Sequence, residues 1–245
     1  MYYFDYSATT PLHTEVLDLI NHLNKEVYGN PSSIYTIGKK ARVIIENARL
    51  QVAESISAKP EQIIFTSGGT ESNNQVLWSF VNKTNSHIIS SVIEHPAITK
   101  VLKTMENFGV KHELVNVDKD GIILINELIN KIKSNTRLIS IMMANNEIGA
   151  IQPLKKIIDI AHDKNILVHT DAVQCLGKIK LDVSRLKVDF LSLSAHKFYG
   201  PKGIGALYIK NPDNIDPFII GGGQEKGLRA GTEDVSSIAG MGLAA

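Results

Sequence analysis

The sequence DFLSLSAHKFYGPKGIG occupies residues 189–205 and carries the prediction of the fold. Its first five residues alternate apolar and small polar side chains, as the end of a buried strand does, and Gly200-Pro201 enforces a turn. Lys197 therefore lies where a strand would end. A lysine placed there is a candidate nucleophile for an aldehyde, provided that burial or nearby cations lower its pKa. The alternative is a solvated loop lysine, which is the commoner role after a strand.

The composition is that of an ordinary globular protein. The 245 residues are 43% hydrophobic and carry a formal net charge of +1, with the lysines scattered along the chain. This balance argues against nucleic acid or an anionic membrane as the main partner. No apolar run approaches the length of a membrane span, and the N-terminal residues lack the features of a signal peptide, so we expect a cytoplasmic protein. The one cysteine, Cys175, provides neither an intrachain disulfide nor a cysteine cluster, and we predict no metal site.

Short apolar runs alternate with segments of helical length from residue 63 onward. This alternation predicts an α/β fold in which βαβ units build a largely parallel sheet with helices on both faces. The predicted strands are Ile63–Phe65, His87–Ser91, Lys111–Val115, Leu138–Met142, Ile166–Thr170 and Phe190–Leu193. The predicted helices are Val16–Leu23, Lys39–Ser57, Thr70–Val81, Ile98–Phe108, Leu124–Lys133, Pro153–Lys164 and Val235–Ala245. The last helix stops without a cap or a breaker, which favours a chain cut before a second domain.

Polar groups follow five predicted strands, at the edge where open α/β sheets bind ligands. Residues Ser67–Ser72 place glycines, hydroxyls and free backbone N–H groups at a helix start, which is typical of a phosphate site and equally of a capped glycine turn. Asp171 is a candidate for holding a protonated pyridine nitrogen, or caps the next helix. His95 can stack on a planar ring or be structural, and Asn146 adds an amide or only forms a turn. With Lys197, these groups suit a phosphorylated pyridine aldehyde.

The combined motifs resemble those of the class V, fold type I pyridoxal-phosphate enzymes, and among them the cysteine desulfurases of the housekeeping iron–sulfur assembly subgroup. The resemblance runs from Phe4-Asp5-Tyr6-Ser7-Ala8-Thr9-Thr10-Pro11 through Gly29-Asn30-Pro31-Ser32-Ser33 to Arg229-Ala230-Gly231-Thr232 and covers nearly the whole chain. It implies the large domain of a fold type I transferase, with a mostly parallel, seven-stranded sheet. On this basis residues 1–12 form an N-terminal segment and residues 13–245 form the cofactor-binding large domain.

The resemblance also implies roles for individual residues. Lys197 would form a Schiff base with pyridoxal 5'-phosphate and act as the catalytic base, and His95 would stack on the ring as a second catalytic residue. Asp171 would pair with the pyridine nitrogen. The implied contacts on the ring hydroxyl side are Gln174 and Asn146, and the implied phosphate contacts are Gly69, Thr70, Ser194 and His196. Thr232 would reach the phosphate of the other subunit in a homodimer, and Asn30 would line the substrate pocket.

The implied activity is the conversion of L-cysteine to L-alanine and an enzyme persulfide, which supplies sulfur to an iron–sulfur scaffold or another acceptor protein. Relatives continue into a small domain that carries a mobile-loop cysteine and the arginine for the substrate carboxylate. Because Cys175 does not match that loop motif, we expect it to be a small buried packing residue, and we expect this chain alone not to transfer sulfur. Two alternatives share the cofactor groups: a class V aminotransferase or selenocysteine lyase, and a split or non-catalytic cofactor-binding protein.

Overall fold

The computed structural model describes residues 2–81, 83 and 85–245. The strands in this part of the chain are β1 (Ile63–Thr66), β2 (His87–Ser91), β3 (Lys111–Val115), β4 (Thr136–Ser140), β5 (Leu167–Asp171), β6 (Phe190–Ser194) and β7 (Gly205–Ile209). They form one sheet in the spatial order β1-β7-β6-β5-β4-β2-β3. Strand β7 is antiparallel to both of its neighbours, and the other six described strands run in one direction.

Helices cover both faces of this sheet. They are α1 (Thr14–Glu26), α2 (Thr36–Ser55), α3 (Gly69–Trp78), α4 (Pro96–Met105), α5 (Ile125–Lys131), α6 (Leu154–His162), α7 (Val183–Leu186) and α8 (Val235–Ala244). Because successive strand side chains point to opposite faces, Ile64 packs with α3 and α4 while Ile63 and Phe65 pack with α2, α6 and α8. Helix α1 packs against α8, on the same face of the sheet as α2, α6 and α8. Among the helices of the described residues, none is long and apolar enough to cross a membrane.

The predicted α/β class and the helices on both faces are confirmed, as is the implied count of seven strands in the sheet. The alternation of apolar runs located six of these strands and missed β7, whose glycine-rich beginning looked like a turn. At Gly205 an added Cβ would lie 2.6 Å from the Cα of Gly68, so the strand must begin with glycine to pass the turn after β1. Strand β4 begins at Thr136, two residues before its predicted start. The predicted boundary between residues 1–12 and 13–245 stays a prediction; residues 2–12 form neither helix nor strand.

A buried ion pair covers the free edge of β1. Arg49 on α2 donates to both carboxylate oxygens of Glu225 at 2.7 Å each and to the carbonyl oxygen of Ile63 at 2.9 Å. The same carboxylate accepts the backbone N–H of Phe65 at 2.7 Å. The pair therefore satisfies backbone groups that an edge strand otherwise leaves open. The pair also connects the segment around Glu225 to the sheet. In this segment Glu225 and Lys226 have positive φ values of 46° and 60°.

Replacing Arg49 by alanine should lower the free energy of unfolding by about 3 to 5 kcal/mol, because Glu225 would stay buried without a partner charge. Urea unfolding followed by circular dichroism measures this loss. The matched control is Lys155→Ala, which removes the exposed ion pair with Asp159 on α6 and should cost about 0.5 kcal/mol or less. Equal losses in the two variants would contradict the anchoring role of the buried pair.

Candidate active site

A cavity of about 670 Å³ lies at the carboxyl ends of the strands that run in one direction. It brings together nine of the residues that the sequence and the resemblance single out: Gly69, Thr70, His95, Asn146, Asp171, Gln174, Ser194, His196 and Lys197. Two others, Asn30 and Thr232, are exposed and do not line this cavity. The side chain of Asn30 instead accepts the backbone N–H of Ser32 at 2.9 Å. The contacts implied for Asn30 and Thr232 stay predictions.

Lys197 ends a short 3₁₀ turn, Ala195–Lys197, that follows β6. Its Nζ atom donates to the carbonyl oxygens of Ser7 at 2.5 Å and Ala8 at 2.8 Å. Burial and the nearby charge of Lys178 hold the pKa of Lys197 below its ordinary value. A lowered pKa increases the fraction of free amine, which a nucleophilic lysine requires. These contacts hold the amine at the cavity wall, and the assignment of Lys197 as the nucleophile stays a prediction.

The N-terminal segment forms one wall of the cavity, a role that the sequence reasoning missed. Asp5, Ser7, Ala8 and Thr9 line the cavity. The segment is held by Thr9, whose hydroxyl lies 3.0 Å from Nδ1 of His196, and by the amide of Gln174, which donates to the carbonyl of Ser7 at 2.8 Å. Because these contacts join residues more than 160 positions apart and the segment has no hydrophobic periodicity, no local pattern could reveal them.

Asp171 is the last residue of β5 and lies at the cavity wall with only 8% of its surface exposed. Its Oδ2 accepts from Nδ2 of Asn73 at 2.7 Å, and its Oδ1 accepts the backbone N–H of Val173 at 3.0 Å. Burial raises the pKa of Asp171, and these two hydrogen bonds oppose the rise. The following described residues form turns, so Asp171 caps no helix there. Asn73 is a further residue that the sequence reasoning missed, since it looked like an ordinary polar position on α3.

The turn between β1 and α3 presents backbone donors to the cavity. Gly68 precedes the helix and has a φ of 149°. The backbone N–H of Ser72 donates to the carbonyl oxygen of Gly68, which is the first backbone hydrogen bond of the helix. The amides of Gly69 and Thr70 therefore lie in the first turn, where they are available to an anion. A Cβ on Gly69 would lie 2.6 Å from Cγ2 of Val173, so the close approach of this turn to the cavity wall requires glycine.

The carboxylate in the first turn of α3 is paired with a cation. Glu71 accepts from Nε of Arg229 at 2.9 Å and from the backbone N–H of Ser67 at 2.8 Å. Although burial acts in the opposite direction, these hydrogen bonds hold its pKa below the ordinary value. Lys202 also lines the cavity and adds a cation. This end of the cavity therefore suits a phosphate group.

Three other predicted residues, His95, Asn146 and His196, have a defined hydrogen bond or a shifted pKa. His95 accepts the backbone N–H of Ala97 through Nδ1 at 3.1 Å and so caps α4 while it lines the cavity. Asn146 donates to the carboxylate of Glu147 at 2.6 Å. Burial and the nearby charges of Lys197 and Lys202 lower the pKa of His196. The structural and the ligand-facing interpretations of His95 are therefore compatible.

The residues present fit pyridoxal 5'-phosphate. Backbone donors at the start of α3 match a phosphate, Asp171 matches a protonated ring nitrogen, and Lys197 matches an aldehyde. The buried Oδ1 atom of Asn73 has no hydrogen-bond partner among the described residues, which leaves an acceptor beside Asp171 for a polar ligand.

Comparison with known proteins agrees with this geometry. The family described as Aminotransferase class-V matches residues 2–245. The chain belongs to the class V aminotransferase family. Enzymes of this family and the cysteine desulfurases within it use pyridoxal 5'-phosphate.

Among curated relatives, cysteine desulfurase IscS of Dictyoglomus turgidum is 48% identical over 99% of this chain and 62% of its own length. The mitochondrial cysteine desulfurase of Saccharomyces cerevisiae is 45% identical over 99% of this chain and 50% of its own length. A solved NifS-like protein superposes with a TM-score of 0.96 at 43% identity, over 99% of this chain and 68% of that one. A structure described as SspA in complex with cysteine has a TM-score of 0.96 at 38% identity, over 100% and 72%. This chain thus spans less than two thirds of the length of the curated relatives.

Asn73→Ala should raise the pKa of Asp171 further, because the charged carboxylate loses a buried donor. A titration of the labelled Asp171 carboxyl carbon by NMR measures the shift. The same variant should bind pyridoxal 5'-phosphate about tenfold more weakly, the effect of one lost hydrogen bond. The control is Asn74→Ala on the same helix, whose Nδ2 donates to the carbonyl of Thr70. If the two variants behave alike, Asn73 has no specific link to Asp171.

Proposed function

We propose that this chain binds pyridoxal 5'-phosphate covalently through Lys197 and forms the cofactor-binding part of a cysteine desulfurase. The observation that carries the proposal is the meeting of Lys197, Asp171 and the start of α3 around one cavity. The cysteine desulfurase names of relatives at 48% and 45% identity support the choice of reaction. In this reaction L-cysteine yields L-alanine and a protein-bound persulfide.

The bound cofactor would supply an electron sink for the bonds at the α-carbon of an amino acid. Asp171 would hold the positive charge of the ring nitrogen, since it is a buried carboxylate at the cavity wall. The first-turn amides of Gly69 and Thr70 would hold the phosphate. Lys197 would move the proton at the α-carbon, for which its lowered pKa is suited. His95 would provide a planar wall to the cavity, and Gln174 and Asn146 would contact the ring hydroxyl side.

The thiol that accepts sulfur is proposed to lie outside these 245 residues. Cys175 is the one cysteine of the chain and is fully buried in the core beneath α2, α6 and α8. Burial and the nearby charge of Asp171 raise its pKa to about 12. A thiol without access and without thiolate character is a poor nucleophile for the substrate sulfur.

The substrate and the assembly are also proposals. The solved relative described in complex with cysteine supports L-cysteine as substrate, and no observation specifically favours an aminotransferase or a selenocysteine lyase. We propose a homodimer, in which Ile34 and Ile220, at 87% and 85% exposure, are apolar side chains available for contact with a second chain. In that dimer Thr232 would reach the partner's phosphate site. An iron–sulfur scaffold as sulfur acceptor and a cytoplasmic location complete the proposal.

Treating the protein with pyridoxal 5'-phosphate and then borohydride should add the mass of the reduced cofactor to the peptide that contains Lys197. Lys202 lines the same cavity and is the matched control. Lys197→Ala should abolish this labelling and leave the thermal unfolding temperature nearly unchanged, because this side chain contributes little to the core. Labelling of Lys202 in the wild-type protein, or none, would refute the role of Lys197.

Incubation of the 245-residue chain with cofactor, L-cysteine and a reductant should give no catalytic production of alanine, since Cys175 cannot reach the substrate. Amino-acid analysis measures alanine, and Cys175→Ser should give the same result as the wild-type chain. Turnover that disappears in Cys175→Ser would overturn the position proposed for the acceptor thiol.

A further inference from the structure

Glu94 is a buried carboxyl group in the turn between β2 and α4, with 7% of its surface exposed. Its Oε1 accepts from the hydroxyl of Ser91 at 2.6 Å and from the backbone N–H of Met142 at 2.9 Å. Its Oε2 lies 3.1 Å from the same backbone nitrogen. Met142 lines the cavity just beyond the end of β4. Glu94 therefore joins the loops that follow two neighbouring strands, and both donors are uncharged.

A second contact joins the same two loops. Nδ2 of Asn145, in the loop after β4, donates to the carbonyl oxygen of Ile93 at 3.0 Å. The residue that follows Glu94 is His95, whose Nδ1 accepts the backbone N–H of Ala97. Hydrogen bonds to the loop after β4 thus fix the backbone that precedes His95, and the first turn of α4 fixes the backbone that follows it. A backbone N–H can only donate, so Nδ1 carries no proton and the ring proton is on Nε2.

We propose that Glu94 is a positioning residue, whose carboxyl group fixes the turn of His95 against the end of β4 and so holds the imidazole at the cavity wall. This inference rests on the proposed function, since it concerns the same site. Burial, with the nearby charge of Asp171, raises the pKa of Glu94 to about 8, so the group is mostly uncharged at pH 7. What the turn requires is an accepting oxygen at this position. Glutamine retains that oxygen and alanine removes it.

A double-mutant cycle tests whether Glu94 acts through His95. The ligand is pyridoxamine 5'-phosphate, which lacks the aldehyde and therefore binds without a bond to Lys197. Glu94→Ala should weaken its affinity about tenfold, and Glu94→Gln should change it about twofold or less at pH 7. In a His95→Ala background, Glu94→Ala should cause no further loss. An equal loss in both backgrounds, or no rescue by glutamine, would overturn the proposal.

A matched control separates this effect from general destabilisation. Asp189 is another buried carboxyl group, and it accepts the backbone N–H of Val168 at 2.8 Å away from the cavity lining. Asp189→Ala should lower the unfolding temperature as Glu94→Ala does and leave the ligand affinity unchanged. A comparable loss of affinity in Asp189→Ala would assign the effect of Glu94 to stability alone.

A measurement without ligand distinguishes a failure of this inference from a failure of the proposed function. The ring ¹⁵N shifts of His95 in the cofactor-free protein should report the Nε2–H tautomer in the wild type and in Glu94→Gln, and a tautomer mixture in Glu94→Ala. His169, held between Ser140 and Ser192, should keep its shifts in all three proteins. If the wild type binds no pyridoxamine 5'-phosphate, the proposed function fails. If the His95 tautomer is unchanged in Glu94→Ala, the positioning role fails.

Discussion

The common direction of six strands is the constraint on which the site depends. A parallel strand can be followed by another only after the chain has returned along a face of the sheet, so each loop that leaves a carboxyl end arrives at the same edge. His95, Asn146, Asp171 and Lys197 lie at or after the ends of four different strands and yet line one cavity. The reversed strand β7 begins at this edge, and its first residue, Gly205, must lack a side chain because the turn of Gly68 passes it. The sheet thus brings groups that are distant in sequence to one edge, where the N-terminal segment adds a further wall.

Burial then acts on these groups in a consistent way. It raises the pKa of Asp171 and Glu94 and lowers that of Lys197, in each case toward the uncharged form. The charge of Glu71 is retained and is paired with Arg229. A ligand with an anionic group at one end and a cationic ring nitrogen at the other would meet donors at the start of α3 and an acceptor in Asp171. The two ends of the cavity therefore offer hydrogen-bonding groups complementary to the two ends of such a ligand.

The sequence predicted the strands and helices that have a strong hydrophobic periodicity. It did not predict the residues whose role depends on contacts with distant parts of the chain. Strands β2 and β3 were predicted residue for residue because runs such as His87–Ser91 are bounded by clear turns. Strand β4 was placed two residues late, since the apolar Ile141 and Met142 continue the pattern past Ser140, where the strand ends. The wall formed by the N-terminal segment could not be foreseen, because its contacts are tertiary. For the same reason Asn73 was overlooked, since its partner Asp171 lies 98 positions away.

Two residues near the same cavity illustrate how burial separates reactive groups from inert ones. Cys175 directly follows Gln174, a cavity residue, but its side chain packs in the core cluster on the α2 and α6 side of the sheet. Lys197 keeps its amine at the cavity, held by two carbonyl oxygens and near Asp171. Desolvation lowers the pKa of an amine and raises that of a thiol, so it increases the nucleophilic form of the lysine and removes that of the cysteine. Burial therefore leaves an amine with a lowered pKa at the cavity and makes the thiol of Cys175 inaccessible from it.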